Sequence, residues 1–178
     1  FWDLTSCSLV RPLEIVSGKG MAMSLCFIRE GSILAVAFED SSVRLFDVGT
    51  GKQLETEGLI PKTSSEPVTC MSVAGDRAVT AGASNSLTVF TLSSGEIVKT
   101  LELPCKGVND IRIRVDEKIM AAGCWDNSIR IFAWKSLRPL AVLKYHTAGV
   151  TTISFNPSQP SMMATASTDK RIALWNLY

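Results

Sequence analysis

The stretch VTTISFNPSQPSMMATASTDKRIALWNL, residues 150–177, contains three short apolar runs that are separated by turn-forming residues. The runs are VTTISF, MMATAS and RIALWNL, and each has the length and composition of a β-strand. Asn, Pro, Ser and Asp fill the intervals, where the chain has to turn. The stretch therefore predicts three consecutive strands, which we call a, b and c.

The last of these runs recurs along the whole chain. FWDL, VRLFDV, LTVFTL, IRIFAW and IALWNL align with an anchor aromatic at Trp2, Phe46, Phe90, Phe132 and Trp175. The anchors are 44, 44, 42 and 43 residues apart. A period of 40 to 45 residues with an aromatic near the end of an alternating run is typical of a four-stranded propeller blade. The pattern predicts an all-β fold and resembles the WD40 repeat family.

The repeats divide the chain into blades of a single propeller domain. Residues 1–18 are predicted to hold strands c and d of a partial blade, residues 19–61, 62–105 and 106–145 are complete repeats, and residues 146–178 are a last repeat that lacks strand d. Open sheet edges expose unpaired backbone groups. We therefore expect the remainder of the propeller to come from the same polypeptide or from another chain.

Composition restricts the classes of partner. The chain is 46% apolar and 20% charged with a net charge of +1, so it can bury a core but presents no overall basic footprint for nucleic acid or an anionic membrane surface. Its apolar runs are far shorter than a membrane span. We expect proteins as partners, with no nucleic acid, no membrane and no cofactor.

The five cysteines, Cys7, Cys26, Cys70, Cys105 and Cys124, are scattered singly. They form no CxxC pair and have no neighbouring His, unlike a zinc site or a disulfide framework. They predict free thiols in a reducing compartment and no metal site. The expected location is the cytoplasm, the nucleus or both.

The last repeat holds His146, Ser167, Asp169 and Trp175, whose first three members have the residue types of a hydrolase triad. Ser167 lies in a strand-like ATAS run without the G-x-S-x-G elbow that exposes a nucleophile. The WD40 resemblance implies a different role, in which the four side chains form a buried hydrogen-bond network that ties the loop before strand a to strands b and c. We expect a structural tetrad and no catalytic residue.

Acidic residues recur six positions before three of the anchors. They are Asp40, Asp126 and Asp169, whereas the second complete repeat has Ser84 there. A carboxylate at the start of a tight turn can accept backbone hydrogen bonds from the residues that follow. Asp40 and Asp126 are therefore predicted to cap the turns between strands b and c.

One of these turns carries a large aromatic. Trp125 precedes Asp126, and the equivalent positions in the other repeats are Glu39, Ala83 and Thr168. Propeller loops commonly bind partners, and an exposed Trp often anchors an interface. We predict Trp125, Glu39 and Thr168 as partner-binding residues. The alternative for Trp125 is an indole that folds over a neighbouring blade and closes a gap.

Two further features leave alternatives open. The connection EGLIPKTSSEP, residues 57–67, is long enough to be a recognition loop or a disordered insertion. Arg112 and Arg114 share one face of a predicted strand a, where they are solvated rim or channel residues or, alternatively, an anion site.

The stretch AAGCWDNSIRIFAWKSLRPLAVLKYH, residues 121–146, and the closing STDKRIALWNLY carry a more particular resemblance. They resemble the C-terminal half of the guanine nucleotide-binding protein β-subunit-like family, whose fungal members are ASTRA-associated WD40 proteins. The resemblance implies a seven-bladed propeller, about four blades of which lie in this chain. It also implies a non-enzymatic adaptor in the co-chaperone machinery that matures phosphatidylinositol-3-kinase-related kinases. The alternative function is a peptide- or histone-mark reader that uses the propeller channel.

Overall fold

The structure is a computed structural model that describes residues 2–3, 5, 8–9, 20–54 and 64–177. These residues form only β-strands and the turns between them, which confirms the all-β prediction. Within the described ranges no helix has the length and apolarity that crossing a bilayer requires.

The strands form antiparallel meanders in which sequence neighbours pair. A two-stranded ladder joins β1 (Trp2–Asp3) and β2 (Ser8–Leu9). Sheet 1 contains β3 (Ala22–Ile28), β4 (Ile33–Phe38) and β5 (Val43–Asp47). Sheet 2 contains β6 (Val68–Ala74), β7 (Arg77–Gly82), β8 (Ser86–Thr91) and β9 (Ile97–Glu102). Sheet 3 contains β10 (Val108–Ile113), β11 (Ile119–Cys124), β12 (Ser128–Ala133) and β13 (Pro139–Lys144). Sheet 4 contains β14 (Val150–Phe155), β15 (Met162–Ser167) and β16 (Ile172–Asn176).

Each sheet corresponds to one repeat, with strands a to d in chain order. Sheets 2 and 3 have all four strands, and sheet 4 has a, b and c. In sheet 1 the start of strand d is a single bridge between Phe46 and Gln53, and residues 55–63 lie outside the described residues. Most of the predicted recognition loop at 57–67 therefore also lies outside them. The repeat boundaries themselves remain predictions.

The core lies between neighbouring sheets. In two of the b strands, β4 and β11, all six residues are buried. Such strands are continuously apolar because neither face meets water. Between sheets 2 and 3 the cluster includes Val79, Leu87, Ile111, Met120 and Trp134. The sheets therefore stack face to face, as propeller blades do.

A bulge after the first residue of every strand a helps to join the sheets. The skipped residues are Met23, Thr69, Asn109 and Thr151. A bulge redirects its side chain, and two of these side chains reach the next sheet. Thr69 Oγ1 donates to Val108 O at 2.7 Å, and Asn109 Nδ2 donates to Val150 O at 2.8 Å. Neighbouring blades are thus hydrogen-bonded as well as packed.

Candidate functional site

The turns between strands b and c form one edge of the propeller together with the loops that precede strand a. The first turn residue of each repeat donates its backbone N–H to the preceding loop in the same way. The bonds are Glu39 N to Met21 O, Ala83 N to Pro67 O, Trp125 N to Gly107 O and Thr168 N to Gly149 O, at 2.9–3.1 Å. The predicted positions Glu39, Trp125 and Thr168 are therefore structurally equivalent, and we call this edge the loop face.

The carboxylates of Asp40 and Asp126 close their turns. Asp40 Oδ1 accepts hydrogen bonds from Ser42 N at 3.0 Å and Ser42 Oγ at 2.6 Å. Asp126 Oδ1 accepts from Ser128 N at 3.2 Å and Ser128 Oγ at 2.5 Å. The residue between the two partners has a left-handed backbone, with φ of 68° at Ser41 and 70° at Asn127. Both carboxylates thus have the capping geometry that their spacing predicts.

The other oxygen of each carboxylate binds an arginine on strand c. Arg130 donates to Asp126 Oδ2 at 2.8 Å, and Arg44 lies 3.5 Å from Asp40 Oδ2. Burial alone would raise the pKa of Asp126, but the bonds from Ser128 and Arg130 outweigh it and lower that pKa. Both oxygens of each carboxylate therefore have a partner within their own repeat.

In sheet 4 the buried His146 joins the loop face to strands b and c. Its Nδ1 lies 3.0 Å from Asp169 Oδ2, and its Nε2 lies 2.9 Å from Thr165 Oγ1. The Trp175 Nε1–H donates to the same hydroxyl at 2.9 Å. One proton arrangement satisfies this chain: the Thr165 hydroxyl accepts from Trp175 and donates to Nε2, while Nδ1–H donates to Asp169.

The hydroxyl that bonds to His146 belongs to Thr165 and not to Ser167, which the sequence predicted. Ser167 donates instead to Ala148 O at 2.8 Å and accepts from Asp169 N at 3.1 Å. Thr165 and Ser167 point to the same face of β15, two residues apart, and the pairing of Met163 with Trp175 places the indole next to Thr165. Because His146 bonds to Thr165, it is not the base of a Ser167 nucleophile, and the triad geometry is not formed.

Asp169 is held ionised by its hydrogen bonds. Burial alone would raise its pKa, but Thr147 N–H, His146 and Arg171 N–H donate to it and lower the pKa to about 2. Its side chain is 4% exposed. The anion therefore serves to fix the loop before strand a against the b-to-c turn.

Trp125 is held by its neighbours and is also exposed. Its Nε1–H donates to Asn109 Oδ1 at 2.7 Å, and its ring lies on Gly107, where an added Cβ would be 1.9 Å from the indole. Asn109 in turn donates to Val150 O of sheet 4. The residue nevertheless remains 46% exposed. The indole is therefore fixed within its own blade, is linked to sheet 4 through Asn109, and presents an apolar surface on the loop face.

The two arginines of β10 and the turn that follows it are occupied by neighbouring carboxylates. Arg112 Nε lies 3.1 Å from Asp110, and Arg114, 5% exposed, is paired with both oxygens of Asp116 at 2.8 and 2.9 Å. Asp110 also accepts from Ile153 N of sheet 4 at 2.8 Å. Arg114 is thus a buried paired residue, whereas the Arg112 side chain is 49% exposed and solvated, as one of the two alternatives predicts.

Residues that sequence reasoning missed are Thr165, Asn109 and a close pair formed by Cys105 and Cys124. Thr165 could be chosen over Ser167 only with the strand register. Asn109 occupies the same bulge position as Thr69, so an alignment of the repeats offers a weak signal. The cysteines lie 19 positions apart, and nothing in their spacing indicates contact.

Two kinds of family profile match the chain. Residues 95–133 and 137–176 match the profile described as "WD domain, G-beta repeat", and residues 13–76 match "Anaphase-promoting complex subunit 4 WD40 domain". A chain in the crystal structure of the mitotic checkpoint complex superposes with a TM-score of 0.85 over 98% of this chain and 53% of that one. Its sequence identity is 24%, so this match shows the fold alone.

Among curated proteins, the chain is 33% identical over 98% of its length to guanine nucleotide-binding protein subunit beta-like protein 1 of Mus musculus. It is 36% identical over 66% of its length to ASTRA-associated protein 1 of Schizosaccharomyces pombe. The chain spans 54% of the mouse protein and 34% of the yeast protein. These similarities confirm the resemblance carried by the closing repeats.

Proposed function

Because this chain belongs to the WD40 repeat family, we propose that it is a non-enzymatic scaffold that binds other proteins through the loop face around Trp125. The main support for this surface is the Trp125 indole. Its N–H is already bonded to Asn109 and its ring rests on Gly107, while 46% of the residue is still exposed. An aromatic that is fixed before binding loses little conformational entropy when a partner covers it. Glu39 and Thr168 occupy the equivalent turn positions on the same face.

The partner class that we propose is the co-chaperone machinery that matures phosphatidylinositol-3-kinase-related kinases. Its support is the similarity to ASTRA-associated protein 1, which extends over 66% of this chain. The adaptor would act in the cytoplasm, the nucleus or both, where free thiols persist.

Affinity purification of the tagged natural protein tests both the Trp125 binding surface and the proposed class of partner. Trp125→Ala is expected to weaken partner binding by about 2 kcal/mol, roughly thirtyfold in Kd, as truncation of an interface anchor does. The matched control is Leu140→Ala, which removes an apolar side chain with 47% exposure from outer strand β13 and should leave recovery unchanged.

The outcomes test the Trp125 surface and the partner class separately. Equal recovery of partners by wild type and Trp125→Ala, with both folded by circular dichroism, would refute the Trp125 surface. Recovery of a defined set of other proteins, such as histones, without kinase-maturation co-chaperones would refute the partner class and favour a mark reader.

A further inference from the structure

Cys105 and Cys124 meet beside the Trp125 turn. Cys105 lies in the loop between β9 and β10, and Cys124 is the last residue of β11. Their sulfur atoms and a carboxylate oxygen of Asp126 all lie within 4.8 Å of one another. A disulfide needs a sulfur–sulfur distance of about 2 Å, so a small side-chain and loop adjustment would join the two thiols.

Cys124 occupies the position in sheet 3 that Ser167 occupies in sheet 4. Cys124 pairs in register with Val108, as Ser167 pairs with Val150. In sheet 4 the Ser167 hydroxyl fastens the loop by donating to Ala148 O, whereas the Cys124 thiol points to Ala122 O of its own strand at 3.8 Å. Thiols are weak hydrogen-bond donors. The reduced Cys124 therefore does not hold the loop before β10 by a strong side-chain hydrogen bond, as Ser167 holds the equivalent loop in the last blade.

A metal ion is a poor occupant of this cluster. Both oxygens of Asp126 already accept hydrogen bonds, one from Ser128 and the other from Arg130 at 2.8 Å. The Arg130 guanidinium is also close to Cys105, and its positive charge opposes a second cation.

The two thiols differ in accessibility. Cys124 is fully buried, and burial together with the neighbouring Cys105 raises its pKa to about 12. Cys105 is the less buried of the two residues, so a small oxidant reaches it more readily than Cys124. Cys105 is therefore the residue on which oxidation starts, and Cys124 the residue that resolves it.

We propose that Cys105 and Cys124 are a redox-modification site that forms a reversible disulfide in response to a peroxide. The Cys105 sulfur attacks one peroxide oxygen, the O–O bond breaks, and the thiol proton joins the departing hydroxide, so that a sulfenic acid and one water result. The Cys124 sulfur then displaces the sulfenic hydroxyl, and its proton leaves in water. Two thiols and one hydrogen peroxide thus give one disulfide and two waters. In a reducing compartment such a bond is transient.

The bond would act on the loop face directly. Cys124 immediately precedes Trp125, and Cys105 lies two residues before Gly107, on which the indole rests. Joining the cysteines would draw both supports of the indole together and shift it. An effect on partner binding rests on the proposed function, whereas formation of the bond does not.

Peptide mapping of the natural full-length protein after hydrogen peroxide treatment tests the proposal without any partner. Trypsin places Cys105 in the peptide of residues 100–106 and Cys124 in that of residues 119–130. We expect these two peptides to become linked and to separate again with a thiol reductant, while Cys26 and Cys70 remain available for alkylation. In Cys124→Ala, the link should be lost and dimedone should capture a sulfenic acid at Cys105.

Three results would overturn the proposal. They are separate alkylation of Cys105 and Cys124 after peroxide, a dominant link to Cys26 or Cys70, and retention of one zinc ion that protects both thiols. Tryptophan emission gives a second readout, since oxidation should change it in wild type and not in Trp125→Phe. A disulfide that forms without any emission change would refute the coupling to Trp125.

Discussion

At the scale of single residues, the hydroxyl of Thr165 bonds to two nitrogens, His146 Nε2 and Trp175 Nε1, and Thr165 itself is 1% exposed. A buried donor or acceptor that loses its partner pays its full desolvation cost, which exceeds the net gain of an ordinary hydrogen bond. The chain of four side chains therefore depends on this one oxygen more than on the nearby Ser167.

Thr165→Val tests that dependence. It keeps the side-chain shape and removes the hydroxyl, so we expect the free energy of unfolding to fall by about 1–3 kcal/mol. Urea denaturation measures the change. Thr100→Val on exposed strand β9 is the matched control and should change stability by less than about 0.5 kcal/mol. Equal effects of the two substitutions would contradict the hydrogen-bond chain.

The lowered pKa of Asp169 predicts that the protein loses folding stability at acidic pH. Its pKa is lowered from 3.8 to about 2 in the folded protein, so the unfolded chain binds the proton first as pH falls. The stability that it contributes is complete above pH 3.8 and is lost as pH falls towards 2. Urea unfolding as a function of pH should show the gap between wild type and Asp169→Asn closing within that window. A gap that is the same at pH 2 and pH 6 would show that the hydrogen-bonded carboxylate does not produce it.

The residue types of the site were predictable, and their connections were only partly so. His146, Asp169 and Trp175 stood out by type and spacing, and Asp40 and Asp126 by their place before an anchor. The choice between Thr165 and Ser167 depends on which strand residues pair, because both hydroxyls lie on one face of β15. Contacts between sheets, such as that of Asn109 with Val150, depend on the packing of blades and leave no local pattern.

At the scale of structural elements, the loop before β10 and the turn after β11 form one unit. Trp125 N–H donates to Gly107 O, the indole covers Gly107, and Asn109 holds the indole N–H. Gly107 has a φ of 83°, a left-handed conformation that favours glycine. The close approach of the ring is a second reason why a side chain does not fit there.

Gly107→Ala separates these two reasons when it is compared with Gly75→Ala. Gly75 also has a positive φ, 57°, but an added Cβ would meet nothing within 4 Å. Gly75→Ala should therefore cost only the backbone strain of about 1 kcal/mol, whereas Gly107→Ala should cost more and displace the indole. Thermal melting and tryptophan emission measure the two effects. Similar melting temperatures and unchanged emission in both variants would refute the packing of Trp125 on Gly107.

Strands and turns were the most predictable elements, because alternation and turn chemistry are local. The glycines of DVGTGK and TLSSGE are an example, since Gly51 and Gly95 have φ of 74° and 69° as a hairpin turn requires. The bulge in every strand a was not predictable, because it is set by how two strands pair and not by either sequence alone.

At the scale of the whole molecule, two sheet faces are strongly apolar and exposed. In sheet 1, Leu25 and Phe27 are each 59% exposed, and in sheet 4, Ile172 and Leu174 are 75% and 72% exposed. All the inner faces between sheets have the same apolar character and are buried. Contiguous apolar surface of this kind is usually covered in the functional assembly.

We therefore predict that further blades, of the same polypeptide or of another chain, cover these two faces in the natural full-length protein. Hydroxyl-radical footprinting measures this at individual side chains. Phe27 and Leu174 should be oxidised far less than Leu140, which is 47% exposed on the outer strand β13. Oxidation of Phe27 and Leu174 at the level of Leu140 would contradict the prediction.

We propose that the chain is a WD40 scaffold that binds proteins through its loop face. Hydrogen exchange of the natural protein, alone and with a purified partner, tests this most directly. We predict new protection in residues 104–109 and 119–130, around Trp125, and none in the turns at 47–52, 91–96 and 133–138 on the opposite edge. Protection confined to those opposite turns would contradict the claim.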